Sequence, residues 1–168
     1  LGGDTTDGRF AEEQGGKQRS FDYWNNVKSI LGNSTKPVFI LKGNHDDNSF
    51  AAQIDAATMS DPAYIINNEE WYQATMADFS EYTTDYQDGY YYYDLPDRNV
   101  RVICLNMSDT DDTVVDGKRA QIGLSENGYS DAQIDWLLNK AMTRQDCEYV
   151  FLSHDGFEYP SDYRPGNN

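Results

Sequence analysis

The run Val38-Phe39-Ile40-Leu41-Lys42-Gly43-Asn44-His45-Asp46-Asp47 constrains this chain more than any other. Four apolar residues, two of them β-branched, lead into a glycine and then four polar side chains. This pattern predicts a buried strand whose carboxyl end opens into a loop presenting Asn44, His45 and Asp46 together. Open α/β sheets bind ligands at the carboxyl ends of their strands. Asn, His and Asp can each ligate a metal or handle a proton. Taken alone, such a cluster is an ordinary loop; the rest of the chain gives it weight.

The length of 168 residues suits one domain. With 29 acidic against 13 basic residues the formal charge is −16, which opposes duplex nucleic acid and anionic membranes as partners. Cys104 and Cys147 sit in or beside apolar runs and read as buried thiols, so compartment stays open. No apolar run reaches the length of a membrane span, and no leader segment is visible. Leu1 opens inside what reads as an interior segment, so the chain is expected to be a trimmed piece and its localisation is left open.

In order, Leu1-Gly2-Gly3-Asp4-Thr5-Thr6-Asp7-Gly8 reads as a strand end and a tight turn. Gly15-Gly16 breaks any earlier helix. Phe21, Trp24, Val27, Lys28 and Leu31 then trace a helical stripe closed by Gly32-Asn33. Phe50, Ile54 and Ala57 suggest a helix, and Asn68 is expected to cap another that carries Trp71, Thr75 and Phe79 on one face. Two β-rich runs, 90–95 and 100–105, flank Pro96-Asp97-Arg98-Asn99 as a hairpin, with the successive tyrosines alternating between faces as packing aromatics. The acidic run 109–127 reads as an extended surface loop of solvated charge. Ser130 and Gln133 suggest a capping box, with Ile134, Leu137, Leu138 and Ala141 as the buried stripe that follows. Residues 149–152 form a strand running into Ser153-His154-Asp155, and the tail 159–168 is loop.

Four apolar runs thus end in polar groups: Asp4, Asn44 with His45, Asn106 with Ser108, and His154. The chain has two histidines and both follow strands, a pattern whose mixed N and O donors suit Mn, Fe or Zn. Here the sequence resembles the calcineurin-like metallophosphoesterases. Gly3-Asp4-Thr5-Thr6-Asp7 is similar to that family's G-D-x-x-D block, Gly43-Asn44-His45-Asp46 to G-N-H-D/E, and Ser153-His154 to its lone post-strand histidine. The segments Arg101-Val102-Ile103-Cys104-Leu105-Asn106 and Ser130-Asp131-Ala132-Gln133-Ile134-Asp135-Trp136-Leu137 look like the family's as well.

The resemblance implies an α/β fold, a fragment of a two-sheet αββα sandwich, filled by residues 1–168 as one incomplete domain. It implies two divalent transition metals, with Asp4 bridging them and Asn44 and His154 on the second. His45 would meet the phosphoryl or leaving-group oxygen, with Asp46 orienting its imidazole and Asp7 organising the ligands; Thr5 and Thr6 take no role. The implied reaction is hydrolysis of a phosphorylated small molecule, a nucleotide or a phosphoprotein. The family's D-x-H and G-H-x-H blocks are absent from these residues. The intact parent is therefore expected to be the enzyme, and this chain alone to bind metal poorly and be inactive. The alternative is a degenerate, noncatalytic relative that binds a partner through the same surface.

Overall fold

The computed structural model describes residues 1–10, 14–50, 61–122 and 128–155. The helix expected beyond Phe50 and the tail 159–168 lie outside them. The strands are β1 (Tyr91–Asp94), β2 (Val100–Cys104), β3 (Val114–Val115), β4 (Lys118–Arg119) and β5 (Glu148–Leu152). The helices are α1 (Gly16–Leu31), α2 (Asn68–Thr75) and α3 (Asp131–Trp136). Among the described residues no helix is long and apolar enough to cross a membrane.

The hairpin forms as expected: β1 and β2 pair antiparallel, with Tyr91 opposite Cys104 and Asp94 opposite Arg101. β5 joins β2 in parallel, Val150 opposite Val102, giving a mixed three-stranded sheet in the order β1-β2-β5. Strand alternation sends side chains to two cores. Tyr91, Val102 and Cys104 meet Trp24 of α1 and Trp71 of α2, whose rings cross at 82°. Tyr90, Ile103 and Leu105 meet Trp136 of α3 on the other face. Full burial of each such apolar side chain stabilises the fold by about 1.5–3 kcal/mol. With helices and sheet sharing both cores, the chain is mixed α/β.

Residues 38–41, expected as a core strand, are extended but belong to neither named sheet. The Leu1 ammonium donates to the Phe39 carbonyl at 2.6 Å and the Leu41 amide donates to the Leu1 carbonyl at 3.0 Å. That is parallel pairing of Leu1 with Ile40. On its other side the Ile40 amide donates to the Tyr91 hydroxyl at 3.0 Å, which donates back to the Ile40 carbonyl at 3.1 Å. A tyrosine hydroxyl, both donor and acceptor, does there what a neighbouring strand would do.

Three further expectations need correction. Asn67, not Asn68, caps α2: its side chain accepts from the Glu70 amide at 2.7 Å while Glu70 returns to the Asn67 amide at 3.0 Å. Asn68 is instead held by the buried Lys42, whose Nζ donates to its Oδ1 at 2.5 Å. α3 runs on into a π-helical turn, Leu137–Ala141, and of the expected stripe only Leu137 and Ala141 face inward. Gln133, Trp136 and Ala141 are buried and Leu137 packs beside them, whereas Ile134 and Leu138 are 41% and 61% exposed. Gln133 and Trp136 take the buried face because their polar atoms have partners there, the indole Nε1 donating to Asp85 Oδ2 at 3.0 Å. Ser130 Oγ still accepts from the Gln133 amide, but the Gln133 side chain does not close a capping box.

The acidic loop is the third case. It contains the β3–β4 ribbon, and Thr110, Arg119 and Ile122 are buried. Asp112 is not freely solvated: it pairs with Arg119 and accepts from the Asn68 amide at 2.7 Å. Residues 123–127 of that run lie outside the description.

Candidate functional site

Three loops meet at Asp4: its own, the turn 43–48 that follows the extended segment, and the end of β5 at His154. Asp4 sits at φ 49°, in the left-handed region that Asp tolerates better than most residues. Its Oδ1 accepts from the His45 amide at 3.0 Å, so its carboxylate lies against the turn. Gly43 permits this approach: a Cβ there would fall 2.2 Å from the Asp4 amide nitrogen.

The second oxygen, Asp4 Oδ2, faces both imidazoles, 3.2 Å from His154 Nε2 and 3.9 Å from His45 Nε2. Each ring is held from behind in the same way. His154 Nδ1 lies 2.6 Å from the Gly2 carbonyl and His45 Nδ1 2.7 Å from the Asp7 carbonyl. A carbonyl can only accept, so Nδ1 carries hydrogen in both rings and, in the neutral form, Nε2 carries the lone pair. The His45 ring also lies flat on Phe50, with centroids 3.8 Å apart and planes 9° from parallel.

Asn44 is half-buried at the centre of the turn, and no described residue hydrogen-bonds its side chain. Asp46 is wholly buried and does something other than orient His45. Its Oδ2 accepts from the Gly43 amide at 2.9 Å and its Oδ1 from the Thr6 amide at 3.1 Å, clamping the turn to the Asp4 loop. Burial pushes the carboxyl up to about 6, against the opposing pull of those backbone bonds. The imidazole of His45 is oriented by the Asp7 carbonyl and Phe50 instead. Asp7 therefore acts through its backbone; among the described residues its side chain reaches only Arg9, at 3.9 Å.

The fourth polar strand end, Asn106, is not part of this gathering. Its amide donates to Gln133 Oε1 at 2.9 Å, its carbonyl accepts from Gln133 Nε2 at 2.7 Å, and its Nδ2 donates to the Asp88 carbonyl at 2.7 Å. Ser108, whose amide donates to Asn106 Oδ1 at 3.0 Å, belongs to the same buried knot.

Lone pairs on Nε2 and a carboxylate oxygen repel unless a cation lies between them, and a proton or a metal ion would both serve. The donor chemistry fits a transition metal, with each imidazole fixed by a carbonyl behind it as such ligands usually are. Among the described residues no three His, Cys, Asp or Glu side chains form a group that could hold an ion. Asp4 and His154 are close enough to share one; His45 stands further off, and Asn44 adds an amide rather than a charge. Phe50 and the Asp7 carbonyl were beyond sequence reasoning, since neither residue type nor spacing marks a stacking ring or a backbone acceptor.

Compared with protein-family models, curated proteins and solved structures, the chain matches none.

Proposed function

We propose that this chain carries part of the centre of a metal-dependent phosphoesterase, one that hydrolyses the phosphate ester of a small molecule, a nucleotide or a protein. The observation that supports this most is the facing of Asp4 Oδ2 by two imidazole Nε2 atoms drawn from strand ends far apart in sequence. On this reading Asp4, Asn44 and His154 hold metal, and the full centre has two Mn, Fe or Zn ions with further donors beyond those three. Bound there, such ions supply a hydroxide and neutralise phosphoryl charge.

The chain's own residues do the rest. Asp4 fixes the turn through the His45 amide while offering Oδ2 to the centre. The Asp7 carbonyl keeps the proton on His45 Nδ1, which leaves Nε2 to give a proton to a leaving-group oxygen when the ring is charged. Asp46 holds the two loops in register without touching substrate. The same reading takes the chain as a fragment of an αββα two-sheet sandwich.

One observation favours the second reading, a noncatalytic relative that binds a partner here: the described residues hold too few donors for a working two-metal centre. Zinc and manganese calorimetry, run beside hydrolysis of p-nitrophenyl phosphate, separates the two. The phosphoesterase reading predicts weak metal binding by this chain that is lost in Asp4→Asn and His154→Ala. It also predicts turnover in a longer chain that adds donors, slowed about 10²–10⁴-fold by His45→Ala. Metal binding indifferent to both substitutions would refute the ligand assignment. A longer chain that binds metal without turnover would leave the partner-binding reading.

A further inference from the structure

We draw no further inference here: the strongest candidate, the apolar groove between residues 37–39 of the extended segment and the Phe151 and Leu152 end of β5, is an open face, and nothing in the structure shows what covers it.

Discussion

Asn44 and Asn106 both end an apolar run, yet the two sites put the same residue type to opposite uses. At Asn106 the amide, the carbonyl and both ends of the side chain are bonded within the protein, and the residue is wholly buried. At Asn44 no described residue bonds the side chain, and the neighbouring imidazole turns its Nε2 toward a carboxylate across a gap. The first end holds α3 to the sheet; the second leaves its polar groups available. Polar residues after a strand therefore do not identify a site until their partners are known. Unsatisfied, convergent groups held by a rigid surround mark function better than residue type alone.

If that contrast is right, substitutions should split into large stability losses where buried bonds are made and small ones where polar groups are left open. The largest loss belongs to Gln133→Ala, which strands the buried amide and carbonyl of Asn106. Urea denaturation should show a loss of roughly 3 kcal/mol, at about 1–3 kcal/mol per unsatisfied group. A loss under about 1 kcal/mol would erase the distinction. Asp46→Ala comes next, at roughly 2 kcal/mol, since the Gly43 and Thr6 amides lose a buried acceptor. It should also loosen the Asp4 loop, seen as faster amide exchange at Thr6 than in wild type.

A smaller effect is expected at the opposite end of β2. Arg101 donates two bonds of 2.8 Å to Asp94 and holds its carboxyl below the usual range. That contribution is present above the unfolded carboxylate value near 3.9 and fades as pH falls below it. Asp94 is 40% exposed, so the wild type's advantage over Asp94→Asn should be under about 1 kcal/mol at pH 7 and smaller still at pH 3. An advantage that grew on acidification would reverse the assigned sign. The smallest effect is expected for Asn44→Ala, within about 0.5 kcal/mol of wild type, because no bond to a described residue is lost. A loss as large as that of Gln133→Ala would show that Asn44 is structural after all.

Much of this was legible in the sequence because local rules and tertiary packing agreed. The β1–β2 hairpin, the α1 stripe on Trp24 and the alternation of the tyrosines follow from turn chemistry and periodicity. The resemblance implied one centre for Asp4, Asn44, His45 and His154, and Asp4 Oδ2 lies 3.2 and 3.9 Å from the two imidazoles. Where reading failed, a distant partner decided. Lys42 claimed Asn68 and left Asn67 to cap α2. Asn106 claimed Gln133, which turned Ile134 and Leu138 outward. A tyrosine hydroxyl took a strand's place beside Ile40. The role expected of Asp46 went to a backbone carbonyl, which no side-chain pattern could announce.

The chain has only two histidines, so both can be followed without ambiguity. Long-range proton–nitrogen correlation spectra of the imidazoles, recorded on the neutral rings and then with added zinc, address the centre directly. The account predicts hydrogen on Nδ1 in both rings, the form less common in free histidine, and zinc should shift the His154 Nε2 signal more than that of His45. Hydrogen on Nε2 in either ring, or a His154 Nε2 signal that zinc leaves in place, would contradict a cation site built on Asp4 and His154.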